Sequence, residues 1–324
     1  MVPELSYLYA LGKPNGQSRF GRFILVAESY LAHSYLGVRL DILRRSQNPD
    51  GGWSYYIGKQ SWLEPTFYAA LALHGDPAAD RAWSLLKSWQ AADGSWPPTA
   101  GAAISGWGTA LCLTLADIRR DLGEPYRKGV DYLLKTVGTE SELWRRALAR
   151  IGFYDPGRNL SLHGWPWKEG TSSWVEPTAH ALIALKKTAG HLPQNENLRE
   201  RIRSGEALLL DVRCKDGGWN YGSPWTLGED QRSYPETTAI ALLGLQGRAE
   251  AASAIDLAKR WLQETPSSLA RAWIRIALRL NGVAVPDDPQ PMHGPGSPDL
   301  MVLALEALGA PEGNFRLLRT EVIA

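Results

Sequence analysis

One turn, written several times over, constrains this chain more than any other feature. Gln47-Asn48-Pro49-Asp50-Gly51-Gly52-Trp53 matches Gln90-Ala91-Ala92-Asp93-Gly94-Ser95-Trp96 and Arg213-Cys214-Lys215-Asp216-Gly217-Gly218-Trp219, and Gly164-Trp165 is a degenerate fourth copy. Asp-Gly and Gly-Gly are turn chemistry, because glycine accepts a positive φ and aspartate bonds its own backbone. The tryptophan closing each turn needs a matching apolar surface and a partner for its N–H. A unit repeated in this way buries its apolar face on its neighbours, so the copies must stack or close on one another.

A second unit follows each turn: Glu64-Pro65-Thr66, Glu176-Pro177-Thr178 and Glu236-Thr237-Thr238, each running into an Ala/Leu-rich stretch. Trp53 to Glu64 is 11 residues, as are Trp165 to Glu176 and Trp96 to Trp107, so Trp107-Gly108-Thr109 stands where the others have Glu-x-Thr. From Trp219 to Glu236 the spacing is 17, and the longer loop carries Ser223-Pro224-Trp225. Proline in the first helical turn loses no hydrogen bond, and an acid there meets the positive end of the helix dipole. These are helix starts, and helices apolar nearly all round are buried ones.

Between them lie amphipathic segments, Pro77–Gln90, Leu198–Val212 and Glu250–Gln263, with Lys, Arg and Glu on one face. Ser267–Asn281 and Ser297–Leu308 read as two further inner helices, and Glu140–Asp155 fits neither set. Val283–Pro298 is too rich in Pro and Gly for a helix and reads as a long exposed loop. Buried helices alternating with half-exposed ones close well as a double ring. The expectation is therefore all-α, an α/α toroid, one domain over residues 1–324 with the repeat spanning about 35–310.

Bulk properties narrow the function. A net charge of +1 and no basic run argue against a nucleic-acid partner. Cys112 and Cys214 cannot form a disulfide framework, which suggests a reducing compartment. Met1–Gln17 lacks a basic leader and Phe23–Ala27 is too short to span a bilayer, so no transmembrane segment and a cytoplasmic location are expected.

The turn Gln-x-x-Asp-Gly-Ser/Gly-Trp is similar to the QW motif of triterpene cyclases, and the chain resembles the squalene–hopene cyclase and prenyltransferase β-subunit superfamily over roughly residues 35–310. That resemblance implies about six inner and six outer helices around a central cavity, with Gln and Trp tying the outer ring to the next helix. It also implies an isoprenoid-type small-molecule ligand. Cyclases of this kind carry Asp-x-Asp-Asp-Thr-Ala. Here Tyr234-Pro235-Glu236-Thr237-Thr238-Ala239 keeps the Thr-Ala, with Glu236 at the middle aspartate and both flanking acids absent. The zinc site of the prenyltransferases has no counterpart: Cys214-x-Asp216 reverses its Asp-x-Cys pattern, and His163, His180 and His293 lack ligand spacing. Asp287-Asp288 is not the aspartate-rich motif of diphosphate-binding synthases. No metal and no cofactor are expected.

Glu236, Glu176 and Glu64 are the candidate acids. Their recurrence at one repeat position argues for a structural role instead, each satisfying helix-start N–H groups and receiving the neighbouring turn, ionised by the helix N-terminus. Trp62, Trp107, Trp174, Trp225 and Tyr234 are the candidate ligand-binding aromatics, with Tyr55, Tyr56 and Tyr221 in the loops nearby. Such rings either line a cavity and face a cation, or fill the core. Trp53, Trp96 and Trp219 read as structural, Cys112 as inert core, and Cys214 as a thiol without a neighbouring base. Three function classes stay open. One is a protein that binds or converts an isoprenoid, as a non-standard terpene-cyclase-like isomerase or lyase if it is an enzyme. The others are a non-catalytic interaction scaffold and a glycan-active toroid enzyme. Whether the ring centre is hollow or filled separates them.

Overall fold

The computed structural model describes residues 35–320 except 105, 154–156, 227 and 287–297. The N-terminal expectations on Met1–Gln17 and Phe23–Ala27 lie outside the described residues, as do His293, Asp287-Asp288 and most of the 283–298 loop.

Among the described residues six helices form the inner ring: α2 (Leu63–Ala72), α4 (Gly108–Ile118), α7 (Val175–Ala189), α9 (Pro235–Gly244), α11 (Ser268–Leu280) and α12 (Leu300–Leu308); nearly all their residues are buried except in α11, where Arg271, Arg275 and Arg279 are only partly so. Each packs on the next in that order, and α12 packs back on α2, so the ring closes. Small side chains allow the close approach. A Cβ on Gly244 of α9 would stand 2.8 Å from Ala179 Cα of α7. Around them lie α1 (35–45), α3 (Pro77–Ser88), α5 (Glu124–Lys135), α8 (Glu196–Asp211) and α10 (Ala252–Glu264). These outer helices bury one stripe only; in α3 it is Ala78, Ala79, Ala82, Trp83 and Leu86. The fold is the expected α/α toroid. Among the described residues no outer helix lies between α11 and α12. A 3₁₀ turn, Asn314–Leu318, packs on α11, α12 and α2, and Arg39 of α1 bonds Glu306 of α12 at 2.9 Å across the closure. No helix of the described residues is long and apolar enough to cross a membrane.

The junction from outer to inner helix is built four times in one way. The indole N–H of Trp53 donates to Leu43 O at 2.8 Å, of Trp96 to Leu86 O at 2.8 Å, of Trp165 to Leu133 O at 2.9 Å, and of Trp219 to Leu209 O at 2.5 Å. These carbonyls end the preceding outer helix, where main-chain acceptors lack intrahelical partners. The backbone N–H of the same tryptophans donates to the hydroxyls of Thr66, Thr109, Thr178 and Thr238 in the first turn of the next inner helix. Gln47 reaches Ala78 O and Gln90 reaches Pro125 O, both at 2.8 Å, so each turn is also tied to the start of the following outer helix; Arg213 reaches Glu250 O at 3.1 Å.

Two expectations about these junctions change. Trp165 is a full member of the repeat rather than a degenerate one. Its missing glutamine is replaced by Arg201 of α8, which donates to Thr136 O at 2.8 Å and His163 O at 2.9 Å and lies 3.9 Å over the Trp165 ring. And threonine, not glutamate, receives the turn, because a short hydroxyl can both accept from and donate to the tryptophan backbone, as Thr66 does with Trp53. Up to residue 153 the ambiguous 140–155 stretch is a 3₁₀ turn, Thr139–Ser141, and helix α6 (Leu143–Arg150) with a short turn after it. No α6 residue is buried, and Leu143, Trp144, Ile151 and Phe153 are exposed. The last inner helix begins at Leu300 rather than residue 297, where the Asp299 carboxylate accepts from Met301 and Val302 N–H.

Candidate functional site

Because every tryptophan turn precedes its inner helix, the helix starts gather at one end of the ring. They are strung together: Leu63 N–H donates to Pro98 O at 2.8 Å, Val175 N–H to Tyr221 O at 3.1 Å, and Leu300 N–H to Tyr55 O at 2.8 Å. Each of these three helix starts is thus held by a loop leading into a neighbouring inner helix. The residues at and just inside these starts form a rim.

Below the rim the ring axis is filled. Tyr68 of α2, His180 of α7 and Trp273 of α11 are all buried, and they meet although no two of their helices are ring neighbours. Tyr68 and Trp273 pack edge to face at 5.2 Å, His180 lies 6.1 Å from Trp273, and Tyr68 Oη is 3.4 Å from His180 Nε2. Trp107 approaches His180 at 6.5 Å and packs edge to face on Trp167 at 4.9 Å. At this level the toroid has an aromatic plug.

The expected ligand-binding aromatics separate into three groups. Trp62, Trp174 and Tyr234 sit at the residue just before α2, α7 and α9 and share the rim. Trp62 lies 6.1 Å from Tyr55, and Trp174, Tyr221 and Tyr234 form a stack of tilted rings, with successive centroid distances of 6.2 and 5.2 Å and interplanar angles of 57° and 35°. That stack faces solvent: Trp174 is 38% exposed, Tyr221 46% and Tyr234 44%. Trp107 belongs to the plug region. Trp225 stands apart, in a two-residue strand β1 (Trp225–Thr226) paired with β2 (Glu229–Asp230), with its side chain against Gly157.

The three candidate acids share a register but not an environment. Glu64, Glu176 and Glu236 are each half-buried in the first turn of α2, α7 and α9. Glu64 Oε2 accepts the Tyr55 O–H at 2.5 Å. Burial, then the negative charge of Glu176 and, more weakly, Asp299, push the Glu64 carboxyl up to about 8, against the opposing Tyr55 hydrogen bond. A helix N-terminus stabilises a carboxylate by about 0.3–1 kcal/mol, whereas each pKa unit is about 1.4 kcal/mol; burial and like charge therefore win. The expectation that all three glutamates are ionised fails at Glu64. The Tyr55 and Tyr68 phenols are raised too, by burial first and then by the charge of Glu64. Glu176 Oε1 lies 3.8 Å from His180 Nε2, while Glu236 makes no hydrogen bond or ion pair among the described contacts.

Tyr68, His180 and Asp299 join this site without having been singled out for it, and Tyr55, expected only as a nearby loop aromatic, joins it as the hydrogen-bond partner of Glu64. Tyr68 and His180 were legible in principle, since each follows its glutamate by four residues and so lies one turn below on the same helix face. Asp299 starts a helix without a tryptophan turn, and nothing in the repeat points to it. Among the described residues no group of three or more His, Cys, Asp or Glu side chains is gathered to hold a metal. Cys112 and Cys214 are buried, and burial raises both thiols.

No family model matches the chain. Over 213 residues, 64% of its length, it is 28% identical to a labda-7,13-dienyl diphosphate synthase from Streptomyces clavuligerus, and it spans only about a third (32%) of that protein. Among solved structures it is similar to an α-amylase from Clostridium perfringens (TM-score 0.55, 12% identity, covering 86% of this chain and 97% of the other). It is also similar to a GH8 endo-β-1,4-glucanase from an Achatina fulica gut metagenomic library (TM-score 0.54, 15% identity, 84% and 96% covered). At these identities the two structures speak for the shared fold alone.

Proposed function

We propose that the rim of this terpene-cyclase-like α/α toroid binds an isoprenoid-type small molecule and positions the molecule's double bonds over the aromatic plug. The exposed Trp174–Tyr221–Tyr234 stack beside the rim carboxyls carries this reading. Three adjacent ring faces offer apolar area to a hydrocarbon chain, and their negative faces favour positive charge developing on it. The similarity to a labdadienyl diphosphate synthase supports the ligand class. As an enzyme the protein would be a non-standard cyclase-like isomerase or lyase. The plug limits the ligand to the rim, since the ring centre at that level has no room.

Equilibrium binding of polyprenols and polyprenyl diphosphates, followed by tryptophan fluorescence, tests the reading. Saturable binding is expected, and Trp174→Ala combined with Tyr234→Ala should weaken it by roughly tenfold or more, as loss of two aromatic contacts implies. Binding of β-1,4-glucan oligosaccharides with no isoprenoid binding would instead support a glycan-active toroid. A second reading draws on the plug itself: a toroid filled at its axis also suits a non-catalytic scaffold, and absence of binding to either ligand class would favour it.

A further inference from the structure

We propose that Glu64, held by Tyr55, is the proton donor of this rim, delivering its proton to a carbon–carbon double bond of the bound isoprenoid. The assignment rests on the isoprenoid reading of the rim and moves the acid away from Glu236, the position that the cyclase resemblance implies.

The geometry distinguishes Glu64 from its repeat partners. Its Oε2 is occupied by the Tyr55 O–H at 2.5 Å, which leaves Oε1 to carry the proton. Tyr55 is itself anchored, because its carbonyl accepts the Leu300 N–H at 2.8 Å at the start of α12. The titratable groups around Glu64 are Tyr55 from the loop before α2, Tyr68 from α2 itself, Glu176 and His180 from α7, and Asp299 at the cap of α12. Two of these are carboxyls that disfavour a third negative charge, and burial acts in the same direction, so Glu64 holds its proton near neutral pH. Neither Glu176, beside His180, nor Glu236 has a phenol partner among the described contacts. Paired like charges are a recognised means of keeping one carboxyl protonated for acid catalysis.

The step balances without a co-reactant. The π electrons of the alkene form a new C–H bond with the Glu64 proton, leaving a carbocation on the ligand and a carboxylate on Glu64. Loss of a proton from a carbon next to the cation returns an alkene, and the released proton restores the acid. The net change is isomerisation or ring closure at constant oxidation state. Tyr55 is a positioning residue: it touches the carboxyl, not the ligand.

Deuterium incorporation from D₂O into a bound polyprenol, read by mass spectrometry, tests the assignment alongside binding of the same polyprenol. Wild-type protein should incorporate deuterium, more slowly as pH rises through about 8. Glu64→Gln should bind the polyprenol and lose incorporation by about 100-fold or more, the usual reach of general acid catalysis. Tyr55→Phe removes a hydrogen bond that favours the carboxylate, so its pH midpoint should move upward; this readout also serves if Glu64→Gln does not fold. Binding without incorporation, or incorporation kept by Glu64→Gln and lost by Glu236→Gln, overturns the assignment while leaving the ligand class intact. No binding at all overturns both.

Discussion

At the four turn–helix junctions the indole N–H meets a helix-end carbonyl at 2.5–2.9 Å, and the backbone N–H meets a threonine hydroxyl at 2.9–3.0 Å. Two residues before that threonine, at the rim, the same register is held by Glu64, Trp107, Glu176 and Glu236, and no two have the same surroundings. The junctions repeat because each solves one packing problem, seating an inner helix on the end of an outer one. The rim is free to differ because it faces the opening. Repetition therefore marks architecture here, and departure from it marks the candidate chemistry.

The largest test of this contrast removes the repeated part. Trp53→Ala, Trp96→Ala, Trp165→Ala and Trp219→Ala should each destabilise by about 3–5 kcal/mol in denaturant titrations, the cost of truncating a fully buried large aromatic. The four values should agree closely; a Trp165→Ala loss well below the others would remove it from the repeat.

The next effect lies at the rim and depends on pH. Glu64 titrates at about 8 in the fold against an ordinary 4.5. A raised carboxyl pKa means the folded state holds a proton that the unfolded chain releases, so stability from this group is complete below 4.5 and is lost as pH rises from there to about 8. Glu64→Gln should abolish that fall, worth about 2–4 kcal/mol after discounting for partial exposure. Denaturant midpoints near pH 5 and about 8.5 read it directly. Parallel pH profiles for wild type and Glu64→Gln would show that Glu64 is an ordinary helix-start acid.

A smaller loss is expected from the threonines. Thr66→Val, Thr178→Val or Thr238→Val leaves a buried tryptophan N–H without its acceptor, costing about 1–3 kcal/mol. Thermal melts showing no change would transfer the clamp to other groups. Smallest of all, Glu236→Gln should alter stability by no more than about 0.5 kcal/mol, because the described contacts give it no partner. A loss comparable to that of the threonines would restore the view that all three glutamates hold the helix starts.

Much of the architecture was legible from spacing. The 11-residue interval from turn to helix start, the Ala/Leu bodies and the amphipathic segments between them specify inner and outer helices by local pattern. What escaped was whatever a gap concealed. Trp165 looked degenerate because α6 is inserted between it and its carbonyl partner Leu133, which lies 32 residues back instead of 10. Arg201, which does the work of the absent glutamine, arrives from the following outer helix, and no spacing rule announces it.

The sequence by itself determined the toroid: turn chemistry, tryptophan burial and helix amphipathicity act over a few residues and are written in order along the chain. Only the tertiary structure decided that the Glu64 carboxyl is pushed up. Glu64, Glu176 and Glu236 are equivalent in their repeats, and a helix start alone would ionise them all. The difference comes first from burial of Glu64 in the closed ring and then from Glu176 and Asp299, far along the chain, brought against it when α12 closes on α2 and α7 faces it across the plug. Electrostatic energy depends on distance through space and on exclusion of water, and neither exists until the ring is shut.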